Sequence, residues 1–466
     1  MRTTMLTAAI TATLATLAGA QTTPAQTTKP NIVILLADDL GNGDVGWRGG
    51  EIKTPNLDKL ANAGVKLDAL YAMPVCSPTR AALMTGRYPF RYGLQVSVVK
   101  PWANYGLPTD ERTLPQALKD VGYETAIVGK WHLGHSKPEY LPMARGFEHH
   151  YGHYNGALDY FTHERDGGFD WHRDGKRSDD KGYSTTLLGD EAVRLIEHRD
   201  KNRPLFLYVP FQAVHGPFQV PEEYSKPYDV PRPRRKAYMG MVAALDEQVG
   251  RITDALKAQG MDANTLVLFA SDNGGPSPGT ITSNGDLRAG KGTLYEGGVR
   301  VCASATWPGV IPPGTTMAQP AHIVDWYATL LTLGGATLDQ PKPLDGRDLM
   351  PAFKGDAKPV HDEVLINVAP NSGAIREGNW KLVINGYRQI AEEAENPEAT
   401  TTRPTTYELF DMASDRQEKR NVAAEHADVV ARLRARYESL SKTAAPAFGE
   451  AKDPNFKSPK VWGEFP

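Results

Sequence analysis

Four side chains with oxygen donors follow two apolar runs of the sequence. Asp38 and Asp39 come directly after one run, and Asp272 and Asn273 come after another. Carboxylate and amide oxygens are the ligands that hard cations such as Ca²⁺ and Mg²⁺ prefer, whereas zinc is more often bound by nitrogen and sulfur. Each pair alone is equally typical of a solvated turn, because Asp and Asn favour turns. Two adjacent acids are costly to bury without a cation, so the two pairs together favour a metal site.

A second set of side chains carries positive charge or can carry a proton, and its members are spread along the chain. They are Arg80, Lys130, His132, His215 and Lys291. Cleavage of an anionic ester requires positive charge around the peripheral oxygens and an acid that protonates the leaving alcohol. Taken one at a time, each residue is more ordinarily a surface charge or a core histidine. The prediction of a site therefore depends on the fold bringing them together.

The elements that must position these residues are short apolar runs that end abruptly in polar sequence. We predict buried strands at residues 31–37, 125–128, 205–209 and 265–269. Continuous apolar runs of this length suit strands buried on both faces, as in parallel sheets. Helical spacing between them indicates helices at residues 55–63, 114–121, 184–198, 236–259 and 323–333. This alternation favours an α/β doubly wound sheet, in which ligands bind beyond the carboxyl ends of the strands.

The sequence beyond residue 355 shows a different pattern. Short strands are predicted at residues 362–368, 374–384 and 406–410, and a helix at residues 424–440. The chain has 466 residues, which is too many for one small core. We therefore expect a catalytic domain at residues 30–355 and a smaller C-terminal α+β subdomain at residues 356–466.

The N-terminus is typical of a secretory signal peptide, predicted at residues 1–20. Arg2 supplies the positive start, an apolar stretch follows, and Ala18-Gly19-Ala20 is a cleavage signal. The stretch is too short for a membrane span, and we expect no span later in the chain. Residues 21–29 are predicted to be a disordered leader. We expect an exported protein, periplasmic or secreted; a cytosolic protein with an apolar start is the less favoured alternative.

Charge and cysteine content exclude some functions. The chain has 52 Lys and Arg residues against 55 Asp and Glu residues, a net charge of −3, so it lacks the basic character expected of a nucleic-acid-binding protein. Export normally favours disulfides, yet Cys76 and Cys302 are the only cysteines. Cys302 lies in a run typical of a buried strand, where a free thiol is the default, although pairing of the two cysteines is an alternative.

The run Cys76-Ser77-Pro78-Thr79-Arg80 and several other stretches resemble the sulfatase family. Cys-x-Pro-x-Arg is the signal that sulfatases carry for conversion of the cysteine to formylglycine. Further family patterns follow in order along most of the chain, at residues 36–41, 129–134, 290–300, 345–349 and 407–411. Residues 141–147 and 159–164 resemble arylsulfatase B-type enzymes in particular. Thr79 and Tyr295 depart from the residues common in the family, and we expect both changes to be tolerated.

The resemblance implies an alkaline-phosphatase-like core, with a mixed and mostly parallel sheet flanked by helices, and one Ca²⁺ ion. Asp38, Asp39, Asp272 and Asn273 would hold the ion together with the formylglycine at position 76. The aldehyde would be hydrated to a geminal diol, and one of its hydroxyls, activated by the calcium and Asp272, would attack sulfur. The second hydroxyl is what allows sulfate to be expelled afterwards, which a serine nucleophile could not achieve.

The resemblance also implies a role for each member of the cationic set. His215, with Lys291 nearby, would protonate the leaving alcohol. His132 would take the proton of the second hydroxyl, and the aldehyde would form again. Arg80 and Lys130 would anchor the diol and shield its charge.

Two groups of histidine and aromatic residues follow Lys130 in the sequence. We predict from position that the first group lines the substrate pocket: His135, His163 and Trp171. The second group either lies on a loop at the same pocket or forms a second metal site: His149, His150 and His153.

The resulting prediction is a calcium sulfatase that acts on a sulfated saccharide after a formylglycine-generating enzyme has acted on residues 76–80. The arylsulfatase B resemblance implies the 4-sulfate of N-acetylgalactosamine, and an algal galactan unit is the alternative. A second hypothesis is a phosphonate or phosphodiester hydrolase of the same superfamily, because such an enzyme can use the same aldehyde. A non-catalytic binder of sulfated glycans is a third, but such a protein is expected to have lost catalytic residues, and none is lost here.

Overall fold

The computed structural model describes residues 29–386, 404–449 and 451–465. The predicted signal peptide and all but the last residue of the predicted leader lie outside this part of the chain. Among the described helices, none is both long enough and apolar enough to cross a membrane.

The strands of the described residues are numbered in chain order. They are β1 (Asn31–Ala37), β2 (Val65–Tyr71), β3 (Glu124–Lys130), β4 (His149–His153), β5 (Glu164–Arg165), β6 (Gly168–Phe169), β7 (His172–Arg173), β8 (Lys176–Arg177), β9 (Leu205–Pro210), β10 (Thr265–Ser271), β11 (Arg300–Thr306), β12 (Thr315–Met317), β13 (Ala321–His322), β14 (Glu363–Val368), β15 (Gly373–Glu377), β16 (Trp380–Ile384) and β17 (Tyr407–Asp411).

The α-helices are numbered in the same way, and short 3-10 helices lie between them. The α-helices are α1 (Pro55–Asn62), α2 (Cys76–Thr85), α3 (Leu114–Lys119), α4 (Ser184–His198), α5 (Glu222–Ser225), α6 (Pro233–Ala258), α7 (Glu296–Val299), α8 (Val324–Gly334), α9 (Met350–Phe353) and α10 (Ala427–Ser441). The 3-10 helices are Gly46–Arg48, Pro89–Arg91, Pro138–Tyr140, Pro142–Arg145 and Asp262–Asn264.

A mixed sheet of eleven strands lies at the centre of the described chain, in the order β12-β2-β11-β10-β1-β9-β3-β4-β7-β8, with β13 beside β2. The strands β10, β1, β9, β3 and β4 pair in parallel, whereas β11 pairs antiparallel with both β10 and β2. The predicted mixed and mostly parallel sheet is therefore confirmed.

Helices cover both faces of this sheet, and β1 shows why its sequence is continuously apolar. Ile32 and Ile34 face one hydrophobic core, and Val33 and Leu35 face the other. All four side chains are fully buried. A strand between two helical layers has no polar face, so its residues do not alternate.

Parallel pairing places the ends of the central strands at one edge. Ala37 of β1 pairs with Ser271 of β10, and Leu36 pairs with Pro210 of β9. β3 continues the same edge on the far side of β9. The polar residues that follow these strands therefore leave the sheet close together, as predicted.

The strands β14–β17 form a separate antiparallel sheet, on which α10 packs. The prediction of one strand over residues 374–384 is wrong, because the chain turns back between β15 and β16. Glu377 pairs with Trp380, which leaves a two-residue loop. Gly378 adopts φ 55° in that loop, a conformation that glycine reaches without steric cost.

Candidate active site

Asp38 and Asp39 leave the end of β1 in a sharp turn that neighbouring loops hold in place. The Asp38 amide donates to the carbonyl of Ala213 at 2.9 Å, and the Asp39 amide donates to Oδ1 of Asp272 at 3.2 Å. Asp39 adopts φ 63°, which Asp tolerates better than most residues. Both side chains are buried, so the chain presents two carboxylates to the interior of a polar site.

Two buried cations neutralise Asp38. Nη2 of Arg80 lies 3.0 Å from Oδ2 of Asp38, and Nζ of Lys130 contacts the same oxygen. Burial alone would raise the pKa of Asp38, but Lys130, His215 and Arg80 together lower it by more, so the pKa lies below its usual range. Asp38 is therefore a carboxylate at neutral pH.

Asp272 shares the Arg80 guanidinium with Asp38 but has a different pKa. Nη2 and Nε of Arg80 lie 2.8 Å and 3.2 Å from Oδ2 of Asp272. Burial and the nearby Asp38 carboxylate raise the pKa of Asp272 to about 6, and Arg80 offsets only part of that rise. A carboxyl group with a pKa near neutrality can both accept and release a proton.

Cys76 is the first residue of α2, and its thiol lies between an acid and a cation. Sγ is 3.5 Å from Oδ1 of Asp38 and 3.5 Å from Nζ of Lys291. Burial, with the charges of Asp272 and Asp38, raises the pKa of the thiol well above its usual range. Unmodified Cys76 is thus a protonated thiol and a poor nucleophile. Cys302 is buried in β11, and the two cysteines are unpaired.

His215 and Lys291 lie on the side of the site that is open to solvent. Their side chains are 26% and 20% exposed, whereas the side chains of Arg80 and Lys130 have no exposed surface. Nζ of Lys291 is 2.6 Å from Oδ1 of Asp39, and Nε2 of His215 is 3.7 Å from Oδ2 of Asp39. A substrate that enters from solvent therefore meets His215 and Lys291 first.

His132 is buried. Its amide donates to the carbonyl of Tyr154 at 3.0 Å, and Nε2 of its ring is 3.1 Å from the carbonyl oxygen of Val99. Burial and the charges of Lys130 and Arg80 lower the pKa of His132 well below its usual value. The ring is therefore neutral at pH 7, the state in which imidazole can accept a proton.

The acidic residues and their neighbours fit a hard cation. Within the described residues, one ligand atom each of Asp38, Asp39, Cys76 and His215 lies within 4.8 Å of the others. Nδ2 of Asn273 donates to Oδ1 of Asp39 at 2.7 Å, whereas Oδ1 of Asn273 is buried without a hydrogen-bond partner. A buried amide oxygen without a partner is costly, and a cation held by the carboxylates would satisfy it.

The residues predicted to line the substrate pocket are packed in the core instead. Trp171 is 0% exposed, His163 is 1% exposed and His135 is 4% exposed. The rings of Trp171 and His163 stack with centroids 4.5 Å apart, and His135 packs edge-on against Trp462 at 5.1 Å. The pocket role predicted for these three residues stays a prediction.

The histidines of β4 do not form a second metal site among the described residues. Successive side chains of a strand point to opposite faces, so His149, His150 and His153 do not converge on one point. Nε2 of His149 bonds Glu191 at 2.7 Å, and the ring of His150 stacks on Tyr154.

Sequence reasoning missed two residues that hold His132. Oγ of Ser77 donates to the His132 carbonyl at 2.8 Å and accepts from the Val99 amide at 3.0 Å. The position of Ser77 directly after Cys76 is the one signal that could have indicated it. Val99 acts through its backbone, which no side-chain pattern indicates.

This geometry defines a class of protein. Acids at the carboxyl ends of central parallel strands, with buried cations against them and partly exposed ones at the mouth, are features expected of a hydrolase of anionic esters. Comparison with known proteins narrows the class. The Sulfatase family matches residues 30–336 of this chain.

Individual relatives agree with that match. Arylsulfatase J of Mus musculus is 35% identical over 484 residues, which cover 94% of this chain and 81% of that protein. N-acetylgalactosamine-6-sulfatase of Canis lupus familiaris is 36% identical over 351 residues, which cover 70% of this chain and 66% of that protein. The crystal structure of Ps i-CgsB in complex with k-i-k-neocarrahexaose is 32% identical with a TM-score of 0.81, over 91% of this chain and 95% of that chain.

The chain therefore belongs to the sulfatase family, and it is a sulfuric ester hydrolase. The family and enzyme class predicted from the sequence are confirmed.

Proposed function

We propose that this enzyme removes sulfate from a sulfated saccharide, with a formylglycine made from Cys76 as the nucleophile and one Ca²⁺ ion in the acidic site. The observation that carries the proposal is the position of Cys76. It occupies the centre of the site, between Asp38 and Lys291, within the sequence Cys76-Ser77-Pro78-Thr79-Arg80.

The surroundings of Cys76 support a modified side chain. Burial, together with the charges of Asp272 and Asp38, raises the pKa of the thiol, so an unmodified cysteine would lack the reactive thiolate. A hydrated aldehyde does not need that ionisation in advance, because a neighbouring base can take a proton as the hydroxyl attacks. The Asp272 carboxylate is close enough to Cys76 to raise the pKa of its thiol, which places it for this role. A formylglycine-generating enzyme acting on residues 76–80 is the maturation partner that this proposal requires.

The residues that would hold Ca²⁺ are Asp38, Asp39, Asp272 and Asn273, together with residue 76. The unpaired Oδ1 of Asn273 supports this assignment most directly. When bound, the ion would supply positive charge for the attacking oxygen and for the sulfate oxygens.

The chain's own groups then divide the proton transfers. Asp272 accepts the proton of the attacking hydroxyl, and His215, beside Lys291, protonates the alcohol that leaves. His132 accepts the proton of the second hydroxyl, which allows sulfate to depart. Arg80 and Lys130 hold the acids and the diol in place and offset negative charge.

The proposed substrate is a sulfated galactose-type sugar, either N-acetylgalactosamine 4-sulfate or a unit of an algal galactan. The similarity to an N-acetylgalactosamine-6-sulfatase and to a protein crystallised with k-i-k-neocarrahexaose supports this class of sugar. The phosphonate or phosphodiester hydrolase alternative rests on the use of the same aldehyde. The phosphonate monoester hydrolase of Agrobacterium radiobacter, at 21% identity, is evidence of a shared fold alone.

Mass spectrometry of the peptide that carries position 76 tests the proposal. Trypsin releases residues 67–80 as one peptide, and we expect it to contain an aldehyde in place of the thiol. Cys76→Ala should abolish activity, with Cys302→Ala as the matched control that leaves it intact. Recovery of only unmodified Cys76 from a fully active preparation would rule out the formylglycine mechanism.

Defined substrates then identify the ester. The 4-sulfate and 6-sulfate of N-acetylgalactosamine, a sulfated carrageenan oligosaccharide, an aryl phosphonate and a phosphodiester are compared by kcat/KM. We expect a sulfated saccharide to exceed both phosphorus esters. A higher kcat/KM for a phosphorus ester would favour the phosphonate or phosphodiester reading.

We also propose that the protein is exported, because its first 20 residues have the pattern of a signal peptide. N-terminal sequencing of the protein recovered outside the cytoplasm should begin at Gln21. An N-terminus that retains residues 1–20 would contradict export by cleavage.

A further inference from the structure

A buried hydroxyl beside the nucleophile position joins two segments of the site. Ser77 is fully buried, and its Oγ donates to the His132 carbonyl and accepts from the Val99 amide. The ring of His132 closes the arrangement, because its Nε2 lies 3.1 Å from the Val99 carbonyl oxygen. Three hydrogen bonds thus link Ser77, Val99 and His132.

The Val99 carbonyl determines which ring nitrogen of His132 carries the proton. A carbonyl oxygen can only accept, so Nε2 must donate, and Nδ1 is left with a free lone pair. Among the described residues, Nδ1 of His132 is buried without a hydrogen-bond partner. The lone pair that a proton acceptor needs is therefore on Nδ1, and no protein group occupies it.

Gly156 bounds the same ring on another side. A Cβ at position 156 would lie 2.4 Å from both Cε1 and Nε2 of His132, which is too close for any real contact. Gly156 is not among the glycines with positive φ. A side chain at position 156 is thus excluded by the ring of His132 and not by the backbone conformation.

We propose that Ser77 is a positioning residue, which holds His132 through the Val99 backbone as the Nε2–H tautomer for release of sulfate. This inference rests on the proposed function. In the release step, the second hydroxyl at position 76 gives its proton to Nδ1 of His132, and the O–H electron pair becomes the second bond of the aldehyde. The bond from carbon to the sulfate oxygen breaks, and sulfate leaves with the electron pair of this C–O bond. His132 then returns the proton to solvent.

Ser77→Ala tests the proposal, with activity expressed per formylglycine because Ser77 also lies in the maturation sequence. We expect kcat to fall about tenfold or more, since a positioned general base contributes roughly 10²–10⁴ in rate. KM should not rise, and intact-protein mass spectrometry should show accumulation of the sulfated enzyme. Ser77→Thr, which keeps the hydroxyl, should restore kcat. A normalised kcat within about twofold of wild type, or a loss of kcat without sulfated enzyme, would overturn the proposal.

Two further variants separate positioning from damage to the helix. Thr85→Val removes another buried hydroxyl of α2, one that bonds the Ala81 carbonyl at 2.9 Å, and should leave kcat unchanged. Gly156→Ala keeps residues 76–80 intact and displaces the His132 ring directly. It should reproduce the fall in kcat and the accumulation of sulfated enzyme. Wild-type kinetics in Gly156→Ala would contradict the role of the ring position.

A last measurement does not depend on formylglycine. Nitrogen NMR of the histidine-labelled, unconverted chain should show His132 as the Nε2–H tautomer, with the signal assigned by its loss in His132→Asn. Ser77→Ala should convert this signal to a tautomer mixture, and an unchanged signal would overturn the positioning role. An active enzyme with unmodified Cys76 would instead overturn the proposed function and leave the tautomer result standing.

Discussion

Lys381→Met should destabilise the protein strongly, because Lys381 lies between two buried acids. Its Nζ lies 2.8 Å from Oε1 of Glu296 and 2.7 Å from Oε1 of Glu418. The side chains of all three residues have no exposed surface. Removal of one partner from a buried ionic network costs about 3–5 kcal/mol, since the remaining charges stay desolvated. This is a large share of a typical unfolding free energy of about 5–15 kcal/mol.

The loss of unfolding free energy in Lys381→Met should depend on pH, because Glu418 changes its protonation state near neutrality. Burial raises the pKa of Glu418 to about 7, although Lys381 lowers it, so the variant should have a still higher value. A carboxyl group whose folded pKa is raised stays protonated in the folded protein after the unfolded chain has ionised, and stability then falls as pH rises. The deficit of Lys381→Met should therefore be larger at about pH 8 than at about pH 5.

Urea denaturation at both pH values measures the deficit, with the exposed Lys419→Met as the matched control. Glu418→Gln in the Lys381→Met background should recover part of the loss at the higher pH, because it removes one uncompensated charge. A deficit below about 1 kcal/mol, or one that is equal at both pH values, would refute the assignment of a buried ionic network.

Four further outcomes are expected. Trp171→Ala should lower the unfolding free energy by about 3–5 kcal/mol while KM of the folded enzyme stays unchanged, and an altered KM would restore the pocket interpretation. Burial lowers the pKa of His149, but Asp174 and Glu191 raise it by more, so the stability that the protonated ring contributes is lost as pH rises through the folded pKa. In urea titrations, the loss of unfolding free energy in His149→Gln should therefore be larger at about pH 6 than at about pH 9. Asn273→Ala should raise the Ca²⁺ concentration needed for half-maximal activity after chelation, and an unchanged requirement would contradict its role as a ligand. Lys291→Met should lower kcat/KM for a sulfate ester by about 10²-fold with little change in melting temperature, and near-wild-type kcat/KM would argue against its place beside the leaving group.

The central strands were predictable because their sequence and their environment impose the same requirement. A strand covered by helices on both faces must be apolar throughout, and β1, β9 and β10 satisfy this with few exceptions. The polar residues that follow such strands lie at the edge of the sheet where the strands have their carboxyl ends. The proximity of Asp38 to Asp272 therefore followed from parallel pairing. The strand pair β15–β16 was harder, since Gly378 interrupts a run that is otherwise continuously strand-like.

The burial of the residues predicted to line the substrate pocket was not predictable by the same reasoning. His163 and Trp171 lie in a loop with aromatic and polar residues, a composition equally compatible with a pocket wall and with a packed core. Burial depends on which segments cover the loop, and Trp462, far along the chain, covers His135. Contacts between residues so distant in sequence leave no local pattern.

The sequence by itself determined the chemistry that is available: the family, the acids and cations, and the cysteine of the Cys-x-Pro-x-Arg run. Residue types and short spacings carry that information, because each chemical role restricts the side chain that can fill it. Only the tertiary structure decided how the groups are used. It pairs Arg80 with both Asp38 and Asp272, leaves Oδ1 of Asn273 unpaired, and orients His132 through the Val99 backbone. Such relations depend on distances between segments and on burial, which act between parts of the chain that no sequence window contains together.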